Sequence, residues 1–171
     1  AGTLLCSAAI TGGNIKLQKV IPDHIKTLLN KLEEMGCTIE VDKNEIILKA
    51  PKKLKAVDIK TLPYPGFPTD LQSIVGVTLT AAKGTSVIVE NIFENRYRYL
   101  TELTKMGAKT TIEGRTAVIK GVRRLSKANV RATDLRGGAA LVLAALNAKG
   151  RTYIENIEYI LRGYENFDIK L

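Results

Sequence analysis

Three apolar segments, each followed by a glycine, alternate with amphipathic segments along the chain. Their composition predicts apolar helices. These segments are Gly2–Thr11, Asp70–Ala82 and Asp134–Ala148. The glycines that follow them stand where a helix C-terminus favours a left-handed residue, so we expect the helices to end at Gly12, Gly84 and Gly150.

A short strand and then an amphipathic helix are predicted after each apolar helix. The predicted strands are Asn14–Val20, Thr85–Asn91 and Thr152–Ile157. Apolar residues at helical spacing follow in the first two units, at Ile25, Leu28, Leu29, Leu32 and Met35, and at Tyr99, Leu100, Leu103 and Met106. We expect Asp23 to cap the first of these helices and Gly36 to end it.

Alternation of apolar and polar residues then predicts two further strands in each of the first two units. Their apolar positions are Cys37, Ile39, Val41, Ile46 and Leu48, and later Ala108, Thr110, Ile112, Ala117 and Ile119. A last strand, Val57–Thr61 or Asn129–Ala132, leads into the next apolar helix. The third unit reaches only its amphipathic helix before Leu171.

Local sequence similarity shows that these units are copies of one another. Lys31–Cys37 recurs as Glu102–Ala108, and Pro68–Gln72 recurs as Ala132–Arg136. The units span about 1–68, 69–132 and 133–171. The pattern predicts an α/β (α+β) domain of repeated strand–helix units with pseudo-three-fold symmetry and a truncated third repeat. Because a half-built sheet leaves an open edge, we expect the chain to be a fragment of a larger protein.

Composition places the chain among globular domains and restricts its chemistry. The 171 residues are 45% hydrophobic and 25% charged, and no apolar run approaches the roughly 20 residues of a membrane helix. Two cysteines and one histidine argue against a disulfide scaffold or a structural zinc site. We therefore expect a cytoplasmic protein. The net charge of +9 points to anionic partners, among which nucleic acid, an acidic surface and phosphorylated small molecules remain open.

Two related helix starts carry candidate chemistry. Asp70 follows Pro68 and is either an ordinary helix cap or a carboxylate positioned to accept a proton. At Asp134–Gly138 the same pattern recurs with Arg136 and two glycines. This second start is either an anion site built from helix amides and a guanidinium, or a place where close helix packing requires glycine.

Two arginines stand where a loop after a strand meets a helix. Arg96 and Arg162 occupy corresponding places in the second and third units, whereas the first unit has Ile25 there. An arginine confined to some repeats suggests a site, although a solvated surface arginine is the alternative for each. Cys6 and Cys37 lack basic neighbours, so we expect structural roles for both. His24 has no partner in the sequence, and we expect it on the surface.

Several segments, in order, resemble the bacterial UDP-N-acetylglucosamine 1-carboxyvinyltransferases, which commit precursors to peptidoglycan. They are FPTDLQ, GTSVIVENIFENRY, ELTKMGA, ATDLRGGAALVLAAL and RGYE, and the resemblance covers nearly the whole chain. It implies an inside-out α/β barrel domain, one of two similar domains with substrates bound between them. It further implies transfer of the enolpyruvyl group of phosphoenolpyruvate to the sugar 3-hydroxyl through a tetrahedral intermediate, without metal or organic cofactor. The remaining partner would be the second domain of the same enzyme, with neither nucleic acid nor membrane.

The resemblance also assigns roles to residues. Asp70 matches the acid at the 3-hydroxyl and is the candidate base, and Arg162 matches an arginine that binds phosphoenolpyruvate. The other matched positions line the sugar nucleotide or the remaining wall of the site: Ile92 (through its backbone), Phe93, Arg96, Asp134, Leu135 and Arg136. Position 161 is Leu where relatives often have Asp.

The family's reactive cysteine loop, catalytic lysine and another phosphate-binding arginine match no segment of this chain. We therefore expect the chain alone to be inactive. The nearest alternative is the sister enzyme that acts on shikimate 3-phosphate. A basic nucleic-acid binding module is a further alternative, although no aromatic platform or basic tail is present, and a regulatory or structural fragment is another.

Overall fold

A computed structural model describes all residues from 1 to 171. Its seven α-helices are α1 (Gly2–Thr11), α2 (Lys26–Glu34), α3 (Gln72–Leu79), α4 (Arg98–Lys105), α5 (Leu135–Asn147), α6 (Glu158–Leu161) and α7 (Phe167–Lys170). Its nine strands are β1 (Asn14–Gln18), β2 (Thr38–Asp42), β3 (Glu45–Lys49), β4 (Ile59–Lys60), β5 (Thr85–Val89), β6 (Lys109–Glu113), β7 (Thr116–Lys120), β8 (Asn129–Arg131) and β9 (Tyr153–Glu155). None of the helices has both the length and the apolar character required to cross a bilayer.

Helices α1, α3 and α5 pack against one another in the centre of the domain. Every residue of α3 is buried, as expected for a helix without a polar face. Strands β3 and β7 bury every second residue, and β2 and β6 have no buried residue, so the sheets form the outer layer. Helices therefore lie inside and sheets outside.

The strands form three separate sheets, with orders β1-β3-β2, β4-β5-β7-β6 and β8-β9. Within a unit the pairing is antiparallel, as in the register that places Ile88 opposite Ala117. The closing strand of each unit instead joins the next unit in parallel, with Ile59 opposite Ile88 and Val130 opposite Ile154. Each closing strand therefore connects its own unit to the sheet of the next unit. The same parallel pairing at both junctions, β4 with β5 and β8 with β9, agrees with the predicted repeat.

The predicted α/β class and the order of the elements are confirmed, and most differences are at element ends. The apolar helix expected from Asp70 begins as a 3-10 turn, Thr69–Leu71, before α3. The strand expected to reach Asn91 stops at Val89. Gly12 and Gly36 do adopt positive φ angles, +75° and +98°, at the ends of α1 and α2.

The expected cap at Asp23 is wrong. Pro22–Ile25 forms a 3-10 turn, α2 starts after it at Lys26, and no side chain caps that start. Proline suits the first position of a helical turn because its fixed φ matches and it has no N–H to leave unpaired. The turn therefore begins at Pro22, and Asp23 lies within it and not before it.

Candidate active site

The N-terminal ends of the three central helices meet at one end of the domain. Gly2 in α1 packs against Leu71 at the start of α3. Asp70, beside that start, forms an ion pair with Arg136 in the first turn of α5. The three helices are therefore parallel, and this end carries the partial positive charge of their N-termini.

Asp70 does not cap a helix. Pro68 is extended, with φ −73° and ψ 136°, and no side chain caps the 3-10 turn that follows it. The Asp70 carboxylate instead points to two guanidinium groups, with Oδ1 2.7 Å from Arg136 Nε and 3.7 Å from Arg96 Nη2. Its side chain is 58% exposed, so the carboxylate is both fixed in position and open to a ligand.

Arg96 is held by three neighbours and is largely withdrawn from solvent. Its side chain is only 13% exposed. The guanidinium lies over the Phe93 ring, with 4.5 Å from Cζ to the centroid, and Nε donates to Thr69 Oγ1 at 3.2 Å. These contacts, together with Asp70, fix the orientation of the group. The alternative of a freely solvated arginine is therefore wrong for Arg96.

Asp134 is the helix cap of the site. Its Oδ1 accepts hydrogen bonds from the amides of Arg136 and Gly137, both at 2.9 Å. The expectation of open amides at this helix start is thus wrong for these two amides, because the Asp134 side chain already accepts from them. The guanidinium of Arg136 and the amide of Leu135 remain available to an anion there.

The glycine pair at this helix start serves close packing. A Cβ on Gly137 would lie 3.3 Å from Tyr99 Cβ, and one on Gly138 would lie 2.7 Å from Ile160 Cγ1. The backbone of α5 therefore approaches α4 and α6 more closely than a larger residue would allow. Of the two alternatives left by the sequence, packing is the one that the structure favours for the glycines.

Ile92 and Phe93 form an exposed loop beside Arg96. Their side chains are 39% and 54% exposed, respectively. Both amides donate to Glu90 Oε1, at 2.9 and 3.1 Å. Because the Ile92 amide is used in this way, its carbonyl is the backbone group that it can offer to a ligand.

Arg162 lies close to this cluster without joining it. It caps the C-terminal end of α6, it is exposed, and its guanidinium is 5.9 Å from the centroid of the Tyr159 ring. The adjacent Gly163 packs against Leu135 at the start of α5, which places Arg162 at the same end of the domain. Leu161 is 58% exposed and leaves Arg162 without an acidic neighbour at that position.

Glu90 and Thr69 were not identified from the sequence. Glu90 is fully buried and accepts four hydrogen bonds, one of them from Thr69. Its position was assigned to the end of a strand, where a glutamate is an ordinary exposed residue. The one available signal was the tripeptide Glu90-Asn91-Ile92, which recurs at 155–157.

The other candidate groups lie outside the cluster. Cys6 and Cys37 are buried, and burial raises the pKa of Cys6 to about 12 and that of Cys37 to about 11. Their thiols are thus protonated at neutral pH, consistent with structural roles. His24 is exposed in the 3-10 turn, as expected for a surface residue.

Comparison with known proteins assigns this arrangement to a family. The profile of the family described as EPSP synthase (3-phosphoshikimate 1-carboxyvinyltransferase) matches residues 1–171. A UDP-N-acetylglucosamine 1-carboxyvinyltransferase 1 from Caldanaerobacter subterraneus subsp. tengcongensis is 53% identical over all 171 residues, which span 41% of its length. A UDP-N-acetylglucosamine 1-carboxyvinyltransferase from Desulfofundulus thermocisternus is 52% identical over the same residues, which span 70% of its length.

A solved structure supports the same assignment. The crystal structure of the enolpyruvyl transferase NikO from Streptomyces tendae superposes with a TM-score of 0.90 and 25% identity, covering 99% of this chain and 41% of that one. The present chain thus spans only part of the length of each of these relatives. It belongs to the EPSP synthase family of enolpyruvyl transferases, among the UDP-N-acetylglucosamine 1-carboxyvinyltransferases.

Proposed function

We propose that the full-length protein transfers the enolpyruvyl group of phosphoenolpyruvate to the 3-hydroxyl group of UDP-N-acetylglucosamine and releases phosphate. The names of the relatives support the choice of reaction and acceptor. The observation that carries the proposal is the exposed Asp70 carboxylate, oriented by Arg136 at 2.7 Å and by Arg96 at 3.7 Å. A carboxylate that merely started a helix would bond to backbone amides, as Asp134 does.

In this proposal Asp70 accepts the proton of the sugar 3-hydroxyl group while the oxygen of that hydroxyl forms a bond to C2 of phosphoenolpyruvate. The methylene carbon of phosphoenolpyruvate takes up a proton in this addition. In the elimination that follows, the same carbon loses a proton as phosphate leaves C2. Phosphoenolpyruvate and the leaving phosphate are anions, so fixed guanidinium groups at this end stabilise the charge that moves onto the phosphate. Arg96, Arg136 and Arg162 are the residues that we assign to this role.

The acceptor sugar nucleotide is assigned to the loop next to these arginines. Ile92 offers its carbonyl, and the Phe93 ring, with Arg96 stacked on one side, offers an apolar surface. Leu135 and Asp134 complete the wall at the start of α5. We assign the chain to one domain of a two-domain enzyme, with repeats 1–68, 69–132 and 133–171 and this wall facing the substrates.

Release of phosphate from phosphoenolpyruvate by the full-length protein tests the function. We expect release with UDP-N-acetylglucosamine as acceptor and none with shikimate 3-phosphate. Release with shikimate 3-phosphate alone would assign the sister reaction, and release with neither acceptor would refute the proposal.

The 171-residue chain is expected to release no phosphate under the same conditions, because it spans 41% of the length of the Caldanaerobacter relative and supplies only one wall of the site. Turnover by the chain alone would contradict the assignment of the remaining catalytic groups to the rest of the protein.

A further inference from the structure

Glu90 is a buried carboxylate directly behind the candidate site. Its side chain is completely inaccessible to solvent, and no lysine or arginine forms an ion pair with it. An unpaired buried charge is costly unless hydrogen bonds replace its hydration. Glu90 has four such bonds, and their donors come from three separate segments of the chain.

These four bonds connect the segments that form the site. Oε1 accepts from Thr61 Oγ1 at 2.8 Å, just after β4, and from the amides of Ile92 and Phe93. Oε2 accepts from Thr69 Oγ1 at 3.0 Å, in the turn that carries Asp70. One carboxylate thus joins the loop assigned to the sugar nucleotide to the turn assigned to the base.

The charge of Glu90 also fixes the direction of the hydrogen bonds. A carboxylate only accepts, so the Thr69 hydroxyl donates its hydrogen bond to Glu90 and turns a lone pair toward Arg96 Nε, 3.2 Å away. Arg96 in turn faces Asp70. A relay of oriented groups therefore runs from the buried carboxylate to the exposed one.

The third unit also has a glutamate at the end of its strand, but at a different position in the strand register. In the third unit the same tripeptide, Glu-Asn-Ile, stands at 155–157. There Glu155 is exposed at the end of β9 and pairs with Arg131 at 3.0 Å. In the strand register Glu155 corresponds to Val89 and not to Glu90, because the Ala132 amide donates to the Glu155 carbonyl as the Thr61 amide does to that of Val89. Glu155 is therefore an exposed glutamate outside the site.

We propose that Glu90 is a positioning residue that holds the Ile92–Phe93 loop and the Thr69–Asp70 turn in register, so that the acceptor sugar and its base meet. This inference rests on the function proposed above. Loss of the Glu90 charge should weaken use of the acceptor more than use of phosphoenolpyruvate, because it weakens the bonds to the loop amides and disrupts the bond to the turn that carries Asp70, whereas no arginine contacts Glu90.

Steady-state kinetics of full-length Glu90→Gln test this. Glutamine keeps the shape of the glutamate side chain but replaces one carboxylate oxygen by an NH2 group. Nε2 would therefore donate a hydrogen bond where Oε2 accepted one. We expect the KM for UDP-N-acetylglucosamine to rise about tenfold, as for loss of a charge-assisted hydrogen bond, with the KM for phosphoenolpyruvate changed by less than about threefold. Glu155→Gln, at an exposed glutamate outside the site, is the control and should leave both constants unchanged.

Thr69 provides a second, independent variant in case Glu90→Gln does not fold. Thr69→Val removes the hydroxyl and should raise the same KM, whereas Thr69→Ser keeps it and should restore the wild-type constant within about threefold. A Glu90→Gln/Thr69→Val double variant should be little worse than the poorer single variant, because both break one relay.

The outcomes separate this inference from the proposed function. A wild-type protein that does not use UDP-N-acetylglucosamine overturns the function. An active wild type whose folded Glu90→Gln variant keeps the wild-type KM, or whose Thr69→Val variant behaves like Thr69→Ser, overturns the positioning role alone. An equal loss in Glu155→Gln would also overturn it, since the effect would then not depend on the buried carboxylate.

Discussion

Replacing Asp70 by asparagine distinguishes a catalytic carboxylate from a structural one. Asparagine has nearly the same shape and caps helices as well as aspartate does, so the change removes the negative charge and the ability to take up a proton. The ion pairs with Arg136 and Arg96 are the only contacts of the Asp70 carboxylate that depend on that charge.

The expected effect on stability is small. The Asp70 side chain is 58% exposed and that of Arg136 is 35% exposed, so water screens their 2.7 Å contact. Exposed ion pairs contribute about 0.2–1 kcal/mol, and the second contact, at 3.7 Å, is weaker still. We therefore expect Asp70→Asn to lower the free energy of unfolding by at most about 1 kcal/mol, or roughly 2–4 °C in Tm for a domain of this size.

The expected effect on catalysis is much larger. A positioned general base contributes about 10²- to 10⁴-fold to the rate, which corresponds to roughly 3–5 kcal/mol of activation free energy. Phosphate release by full-length Asp70→Asn should fall by that factor in kcat. Urea or thermal unfolding of the variant, in the 171-residue chain and in the full-length protein, measures the structural part.

Glu155→Gln removes a similarly exposed carboxylate from an arginine pair outside the site and serves as the control. It should show a comparable small change in stability and no change in kcat. An Asp70→Asn enzyme that keeps more than about a tenth of the wild-type kcat would refute the role of Asp70 as base. A loss of more than about 3 kcal/mol in stability would instead show that the carboxylate supports the fold.

Three further predictions concern the interior and the helix start. Gly76→Ala should destabilise the chain by about 1–3 kcal/mol in urea unfolding, because the new Cβ would overlap the Tyr99 hydroxyl oxygen. That hydroxyl is buried without a partner, so Tyr99→Phe should be neutral or stabilising and should relieve part of the Gly76→Ala loss; an unchanged loss in the double variant would contradict this packing. Asp134→Ala should cost about 1–2 kcal/mol, measured in the same way, because two amides lose their acceptor, and a cost near zero would show that water replaces the cap. Burial raises the pKa of Cys6 to about 12 and that of Cys37 to about 11, so the stability that the neutral thiols contribute is complete below pH 9 and declines as the pH rises through 11 to 12. Native protein should accordingly resist iodoacetamide at pH 8 until it is unfolded, and rapid labelling of folded protein would refute the burial.

The sequence was sufficient for elements whose cause is local. Glycine at a left-handed helix end and apolar residues at helical spacing produce the same structure in each copy, so Gly12 and the face of α2 could be read directly. The strand exchange between units could not be read from a pattern, because it depends on which sheet edge lies nearest after folding. Repetition nevertheless fixed the order of the elements, since the same segment was visible twice.

The role of a polar side chain was predictable only where its partners are close in sequence. Asp134 bonds to amides two and three residues away, as helix caps do. Asp70 begins the same kind of segment, but its partner Arg136 comes from the next unit. The sequence therefore offered a cap or a proton-accepting carboxylate and did not indicate the ion pair. Glu90 was missed for the same reason, because its burial depends on Thr61 and Thr69 closing over it.

The polarity of the three central helices explains where the excess positive charge lies. Their C-terminal ends meet at the end of the domain opposite the site, around a depression lined in part by Lys52, Lys53 and Arg123. The loops 51–55, 121–127 and 147–151 at this end contain lysines and arginines but no aspartate or glutamate. Cations near helix C-termini are stabilising, by about 0.3–1 kcal/mol each, and Arg124 Nε donates directly to the Asn147 carbonyl at the end of α5.

The same helix polarity serves the candidate site at the other end. There the partial positive charge of the N-termini adds to the guanidinium groups of Arg96, Arg136 and Arg162, and both favour an anionic ligand. The net charge of +9 is therefore composed of two parts with different roles. One part compensates helix C-termini and needs no partner, so a nucleic acid is not required to explain it. The other part is a small group of oriented arginines around one exposed carboxylate, which suits a small phosphorylated substrate because a few fixed guanidinium groups match its few charges.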